Sequence, residues 1–245
     1  MNIPSINDIP KLPFKLKENY DSIIPLKFFQ TWKTKELPPL LQNNMDKIKE
    51  KNPEFEYFLF DDNDCRIFIQ KHFRPDVLHA YDTLIPGAYK ADLWRYCVLF
   101  ICGGIYLDMR FELINNFKLI ALTEKEHFVL ERNGHWMPGK HGIYNALMVC
   151  KPNNIFLFQC IRQIVKNVKN GIYGYNEFYP TGPGLLWLIH ETNRNLIRYN
   201  IDAFNPVEGK YIIYNNRLIM HSMDNYINTN TEHYSILWHN KKIYK

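Results

Sequence analysis

The sequence lacks the signatures of several common enzyme classes. It contains no GxSxG, HExxH or GxxxxGKS segment, which argues against a hydrolase elbow, a zincin helix and a P-loop. Its five cysteines are odd in number and form no CxxC pair. This pattern predicts free thiols in a reduced protein without structural zinc.

Long apolar runs and targeting features are also missing. The longest apolar stretch, residues 96–107, is shorter than the roughly twenty residues that cross a membrane. Residues 1–21 contain three prolines and no apolar core, so we expect an extended arm rather than a signal peptide or anchor. We therefore expect a cytoplasmic protein with no membrane span. Abundant Asn, Ile, Lys and Tyr are typical of an AT-rich genome, such as that of a large virus or a low-GC bacterium. A viral source would place the protein in the host cytoplasm.

Positive charge is in mild excess but dispersed. There are 30 Lys and Arg residues against 25 Asp and Glu, giving a net charge of +5. The basic residues form no long run, so the sequence does not indicate a nucleic-acid partner. A mild positive charge suits a phosphorylated ligand such as a nucleoside diphosphate. With 46% hydrophobic residues, the chain can bury one substantial core.

The order of predicted elements indicates an α/β fold with a Rossmann-like layer, because strand and helix patterns alternate. The predicted strands are residues 26–31, 55–60, 127–130 and 147–149. The predicted helices are residues 38–50, 62–72, 86–102, 152–170 and 185–194. The last fifty residues favour β structure and end in HYSILW. We predict an arm at 1–21 and a single domain at 22–245, with a first half at about 22–120 and a second half at about 121–245.

The segment PGAYKADLWRYCVLFICGGIYLDMRFE, residues 86–112, organises the chain. Asp92 and Arg95 lie three residues apart, so both project from one face of a helix that is otherwise apolar on nearly every side. Such a helix is normally buried. Two charged side chains within it therefore need partners.

The second half of this segment changes to a period of two. Gly103 and Gly104 end the helix, and a strand to Glu112 is expected to follow. The polar face of that strand is predicted to carry Tyr106, Asp108, Arg110 and Glu112. These residues could be a site at the carboxyl end of a strand, or the solvated face of an antiparallel strand. The buried helix upstream favours a site, because charges in such a setting usually serve a purpose.

Five segments in order, FQTWK, FDDND, KADLWRY, GGIYLD and a terminal H-x4-W, resemble glycosyltransferase family 32, the DXD-type sugar transferases. That family includes yeast α-mannosyltransferases and is distantly similar to the clostridial glucosylating toxins. The resemblance covers residues 24–120 well, and NALMVCKP and TGP further along add support. The combination of ADxxR with GGxYLD is its most specific part.

The resemblance implies a GT-A fold, with a donor-binding half at about 22–120 and an acceptor-side half at about 121–245. It also implies a glycosyltransferase activity. A retaining transferase would move a sugar from a UDP- or GDP-sugar donor to a glycan or other hydroxyl acceptor. Trp32 would stack on the donor base, and the C-terminal His233 and Trp238 would close on the diphosphate.

The resemblance also implies roles for individual residues. The implied catalytic residues are Asp92, Arg95 and Asp108. The implied donor-binding residues are Gln30, Trp32, Asn63, Tyr106, Arg110 and Trp238. The implied metal ligands are Asp108 and His233.

Arg110 departs from the family pattern, which has a second aspartate at this position that binds a divalent ion. The leaving nucleoside diphosphate still needs positive charge. Either the Arg110 guanidinium replaces the ion, or Mn²⁺ or Mg²⁺ binds through Asp108, His233 and Glu112. A third interpretation is a degraded family member that binds nucleotide sugar or glycan without turnover.

Overall fold

A computed structural model describes residues 12–131, 142–192, 201–205, 211–223 and 232–245. In these ranges nine strands form one mixed sheet, in the order β2-β1-β3-β6-β5-β7-β8-β9-β4. The strands are β1 Lys27–Thr31, β2 Glu56–Phe60, β3 Gly104–Leu107, β4 Phe111–Leu113, β5 His127–Glu131, β6 Gly142–Cys150, β7 Ile201–Asn205, β8 Tyr211–Tyr214 and β9 Arg217–Ser222. The helices are α1 Pro39–Lys51, α2 Asp62–His72, α3 Pro75–Thr83, α4 Gly87–Cys102, α5 Ile155–Lys169, α6 Pro183–Thr192 and α7 Tyr234–His239.

The parallel part of the sheet places the carboxyl ends of β1 and β3 side by side. Strand β1 pairs in parallel with both β2 and β3, and Phe29 lies opposite Tyr106 in the second pairing. Ligands of open α/β sheets gather at this edge. Trp32, just after β1, and Asp108, just after β3, therefore lie at one edge. The predicted α/β class is confirmed.

Helix α4 is buried along most of its length, as its apolar sequence predicts. Every residue from Leu93 to Leu99 is buried, and the flanking helices pack around it on one face of the sheet. A second core, on the other face, contains Ile105, Leu107 and the short 3-10 turn Leu119–Leu122. The sheet is thus covered on both sides, so residues that end its parallel strands are close to a buried environment.

Two glycines connect α4 to β3. Gly103 has φ +62°, and Gly104 has φ +110°. A Cβ on Gly104 would lie 2.5 Å from the carbonyl oxygen of Lys27 on the neighbouring strand. Only glycine fits such a close approach at positive φ, so the predicted helix end at this pair is confirmed.

The single strand predicted to run to Glu112 is wrong. Strand β3 ends at Leu107, and residues 108–110 form a turn that the Phe111 amide closes by donating to the Asp108 carbonyl at 3.1 Å. Strand β4 then leaves β3 and pairs with β9. Glu112 consequently lies beside His221, 3.0 Å away, and not with Asp108.

The C-terminal segment also differs from its prediction. HYSILW was expected to be β, but Tyr234–His239 is a helix whose N-cap is His233. Within the described ranges, no helix combines the length and apolarity that a bilayer crossing requires. The division of the chain at residue 21 stays a prediction, and residues 1–11 of the expected arm lie outside the described residues.

Candidate active site

A cavity of about 880 Å³ opens at the carboxyl ends of β1 and β3. Its size falls within the range of small-molecule sites. One wall comes from β1, α4 and β3, and the other from β6, the segment before α6, and α7 with the residues before it. The residues that line it include Trp32, Asp62, Asp92, Arg95, Tyr106, Asp108, Arg110, Tyr144, Asn145, Gly182, His233, Tyr234 and Leu237.

Arg95 lies between two carboxylates at the base of the cavity. Its Nη2 is 3.4 Å from Asp92 Oδ1, and its Nη1 is 3.1 Å from Asp108 Oδ1. Nη1 also donates to the Asn145 carbonyl at 2.7 Å, and the guanidinium lies 4.4 Å from the centre of the Tyr106 ring. These contacts hold the side chain in one orientation, so its charge is positioned before any ligand arrives.

Asp92 connects three parts of the fold. Besides Arg95, its carboxylate accepts hydrogen bonds from Asn145 Nδ2 at 2.8 Å and from Thr181 Oγ1 at 2.7 Å. A Cβ on Gly182 would come within 3.3 Å of Asp92 Oδ2. Helix α4, strand β6 and the segment before α6 therefore meet at one carboxylate, whose two oxygens both have partners.

The electrostatics of the buried pair favour a charged arginine. Burial is the largest single effect and lowers the pKa of Arg95, but the neighbouring acidic groups together, with Asp108 first among them, outweigh it and raise that pKa. Burial raises the pKa of Asp92, while Arg95 and the hydrogen bond from Thr181 oppose the rise. Arg95 thus stays protonated at any physiological pH.

Asp108 is the carboxylate of this cluster that a ligand can reach. Its side chain is 25% exposed, against 6% for Arg95 and 11% for Asp92. The Tyr106 hydroxyl donates to Asp108 Oδ1 at 2.6 Å, the same oxygen that faces Arg95. Oδ1 is therefore held by two fixed groups, and Oδ2 is the oxygen left for a ligand.

Arg110 lines the same cavity. Its Nη2 donates to the Tyr144 hydroxyl, and its guanidinium lies 5.5 Å from the Phe111 ring centre and 5.9 Å from that of Tyr144. Burial raises the pKa of Tyr234, which lines the opposite wall, and the charge of Arg110 counteracts that rise. Arg110 therefore contributes positive charge to the lining of the cavity.

Trp32 also faces the cavity from the end of β1. It packs against Leu41, Met45 and Met109, and its indole nitrogen is buried without a hydrogen-bond partner in the part of the chain that is described. A ligand with a polar group could pair with this nitrogen.

Three predicted donor-binding residues lie away from the cavity wall. Gln30 is fully buried, where its amide donates to the Leu107 carbonyl and accepts from the Tyr57 hydroxyl, both at 3.2 Å. Asn63 is exposed on the first turn of α2, and its neighbour Asp62 lines the cavity instead. Trp238 donates its indole N–H to the Tyr173 carbonyl at 2.9 Å. The geometry thus brings together the other predicted residues, which are Trp32, Asp92, Arg95, Tyr106, Asp108, Arg110 and His233.

The predicted metal ligands do not form a suitable donor set. Across the described ranges, no three His, Cys, Asp or Glu side chains are grouped as ligands of one ion. His233 Nδ1 accepts from the Ser235 amide and lies 2.7 Å from the Ser235 hydroxyl. This ring nitrogen therefore caps α7. Glu112, the third suggested ligand, instead contacts His221, with Glu112 Oε1 3.0 Å from His221 Nδ1.

Sequence reasoning missed Tyr144, Asn145 and Thr181. All three contact predicted site residues, yet none carries a motif that identifies such a role. Asn145 and Thr181 do fall in NALMVCKP and TGP, so the family resemblance alone could have singled them out.

Comparison with known proteins agrees with this geometry. Residues 38–128 match the family described as "Glycosyltransferase sugar-binding region containing DXD motif". The resemblance to glycosyltransferase family 32 is confirmed. The matched region includes the Arg95 cluster and the turn that carries Arg110.

Several curated relatives of the chain are named glycosyltransferases. "Inositol phosphoceramide mannosyltransferase 3" of Schizosaccharomyces pombe is 30% identical over 183 residues, covering 74% of this chain and 49% of the relative. "Initiation-specific alpha-1,6-mannosyltransferase" of Candida albicans is 29% identical over 105 residues, covering 40% and 27%. The chain thus spans about half or less of these relatives. "Uncharacterized glycosyltransferase L373" of Acanthamoeba polyphaga mimivirus is 37% identical over 73 residues, covering 30% of this chain and 29% of that protein.

Two solved structures share the fold of the chain. "PaToxG Glycosyltransferase" superimposes with a TM-score of 0.54 at 16% identity, covering 69% of each chain. The ligand-free glycosyltransferase domain of the YGT toxin gives 0.51 at 9% identity, covering 75% of this chain and 81% of that domain. The predicted GT-A fold is therefore confirmed.

Proposed function

We propose that the chain is a retaining glycosyltransferase that moves a sugar from a nucleotide-sugar donor to a glycan or other hydroxyl acceptor. The observation that carries this proposal is the buried Arg95, fixed between Asp92 and Asp108 at the base of a cavity of suitable size. The match to a sugar-binding region of glycosyltransferases supports it.

The cavity offers a different chemical group to each part of a nucleotide sugar. Trp32 provides an aromatic face and a buried N–H for the base. The reachable oxygen of Asp108 is an acceptor for ribose or sugar hydroxyls, and Arg95 fixes that carboxylate in place. Arg110 supplies positive charge for the diphosphate.

The proposed reaction exchanges one bond at the anomeric carbon. The acceptor oxygen forms the new bond to this carbon, and the electron pair of the broken bond leaves with the nucleoside diphosphate. The hydroxyl proton passes to the departing diphosphate, so charge and atoms balance. Retention means that the new bond forms with the configuration of the old one.

Mannosyl donors are the first to test, because two of the relatives above are named mannosyltransferases. Thermal stabilisation by UDP-glucose, UDP-galactose, UDP-N-acetylglucosamine and GDP-mannose would identify the nucleotide and sugar. Release of UDP or GDP in the presence of sugar acceptors would then report turnover, and NMR of the product would report its anomeric configuration. Failure of every donor to bind would contradict the proposal.

A second candidate is a binding protein derived from a transferase, which Arg110 in place of the family aspartate favours. Such a protein would bind a nucleotide sugar but release no nucleotide and form no glycosylated product. The same assay therefore separates the two functions.

A further inference from the structure

We infer that the guanidinium of Arg110 is the fixed cation for the donor diphosphate, in the place where the family uses a divalent metal ion. This inference rests on the proposed function and concerns the same cavity. Of the two sources of positive charge that the sequence leaves open, it selects the guanidinium over a bound ion.

The turn after β3 holds Arg110 in position. The Phe111 amide closes the turn on the Asp108 carbonyl, and the Arg110 carbonyl accepts from the Met223 amide at 2.9 Å. The guanidinium donates to the Tyr144 hydroxyl between the rings of Tyr144 and Phe111. A cation fixed before the reaction stabilises developing charge without reorganising at that moment.

Arg110, Asp108 and Tyr234 line the same cavity, with Arg110 on the β3 side and Tyr234 on the α7 side. The charge of Arg110 also counteracts the rise in the pKa of Tyr234. A diphosphate placed between Asp108 and Tyr234 would therefore be close to the positive charge of Arg110. A guanidinium charge that lines the cavity can neutralise the leaving diphosphate.

The carboxylate chemistry next to Arg110 suits an arginine better than a metal. Magnesium demands nearly octahedral oxygen coordination. Asp108 Oδ1 already faces Arg95 at 3.1 Å and accepts a hydrogen bond from Tyr106. A metal ion bound to Asp108 would therefore share this carboxylate with the Arg95 guanidinium. It would also lie close to the guanidinium of Arg110, which repels it. The family's second aspartate, which would offset this repulsion, is replaced by Arg110 itself.

Calorimetric titration of UDP and of GDP into the full chain tests the inference without requiring turnover. With EDTA present, the wild-type chain is expected to bind one of the two as tightly as with Mn²⁺, within about twofold. Arg110→Ala should weaken that binding by at least about tenfold in EDTA, since a charge-assisted phosphate contact is lost. Arg110→Lys keeps the positive charge but not the planar guanidinium, so its nucleotide affinity in EDTA should lie between those of wild type and Arg110→Ala.

Arg110→Asp recreates the family pattern and gives the sharpest contrast. This variant should lose nucleotide binding in EDTA and recover it with Mn²⁺. Arg66→Ala is the control, because Arg66 lies outside the cavity in an exposed pair with Asp82. Circular dichroism and thermal midpoints of every variant would verify that each is folded.

Two results of the titration would overturn the inference and leave the donor site intact. One is wild-type binding that disappears in EDTA and returns with Mn²⁺, and the other is Arg110→Ala binding equal to wild type. If sugar transfer is observed but requires Mn²⁺, the proposed function stands and only the inference is wrong. If neither nucleotide binds under either condition, the donor site itself is wrong, and the inference is overturned with it.

Discussion

At the scale of single residues, Arg95 shows how a buried charge can be maintained. Its guanidinium is inside the protein, yet two carboxylates, two backbone carbonyls and an aromatic face surround it. Removing one charged group of such a cluster leaves an opposite charge buried without a partner. The resulting loss of folding free energy is larger than the net stabilisation that the intact ion pair provides. Arg95 therefore has both a structural and a proposed catalytic role.

Replacing Arg95 by leucine should lower the free energy of unfolding by about 3–5 kcal/mol. Asp92 and Asp108 would then face each other without a cation. Urea denaturation measures the change. Arg66→Leu is the control, because Arg66 pairs with Asp82 on the surface, and its effect should be much smaller. Equal losses of stability in the two variants would contradict the description of Arg95 as a buried cation that pairs with both Asp92 and Asp108.

Replacing Trp32 by alanine should weaken UDP or GDP binding by about tenfold, the size of a lost base-stacking contact. Trp32→Phe keeps an aromatic face and should lose much less. Calorimetric titration gives both values. If the alanine variant binds nucleotide as tightly as wild type, Trp32 is a core residue at the cavity rim and does not contact the base.

Several site residues could be predicted from the sequence because their signals are local. Asp92 and Arg95 stand out as charges within an apolar helix, and Asp108 follows a clear strand. Tyr144 could not be found this way, since it reaches Arg110 only through an antiparallel pairing of β6 with β3. Gln30 is the opposite case: residues of the neighbouring strands satisfy its amide, and its contact with a donor stays a prediction.

At the scale of secondary-structure elements, the passage from α4 to β3 explains why the site residues meet. The glycine pair lets the chain reverse beside β1, and the turn after Leu107 directs Asp108 and Arg110 into the cavity. The sequence could not reveal this turn, because Met109 and Phe111 are buried and continue the apolar alternation of the strand. Likewise, the β-favouring residues of HYSILW form a helix because His233 caps it and Leu237 and Trp238 pack on the core.

Replacing Gly104 by alanine should destabilise the protein by about 1–3 kcal/mol from backbone strain alone, with the clash against the Lys27 carbonyl adding to it. Gly87→Ala is a matched control, because a Cβ at Gly87 has no atom within 4 Å and alanine favours a helix. Thermal unfolding compares them. A Gly104 variant as stable as the Gly87 variant would contradict the described geometry.

Replacing Trp238 by phenylalanine should cost about 0.5–1.5 kcal/mol of stability, through the lost hydrogen bond to Tyr173. Its affinity for UDP or GDP should remain that of wild type, because Trp238 lies outside the cavity wall. Urea denaturation and calorimetry measure the two quantities separately. A tenfold loss of affinity with unchanged stability would instead support the diphosphate contact that the resemblance implies.

At the scale of the whole molecule, the order of elements was sufficient to predict an α/β fold. The family resemblance was needed to predict that this fold is GT-A. Pairing of distant strands was not predictable, and β4 through β9 extend the sheet in an order that local patterns do not contain. The cavity wall that includes Tyr144, Asn145 and Tyr234 comes from this later half. Acceptor identity and the cytoplasmic location therefore stay predictions.

The most direct test of the account is nucleotide release from the stabilising donor, in wild type and Asp108→Asn, with a suitable sugar acceptor. Asn keeps the shape of Asp108 but removes the negative charge that pairs with Arg95 and is proposed to contact the donor. We expect turnover by wild type and a rate about 10²–10³-fold lower in the folded variant, comparable to loss of a preorganised electrostatic contact. Equal rates, or no release by wild type from a donor that it binds, would contradict a transferase built on this cluster.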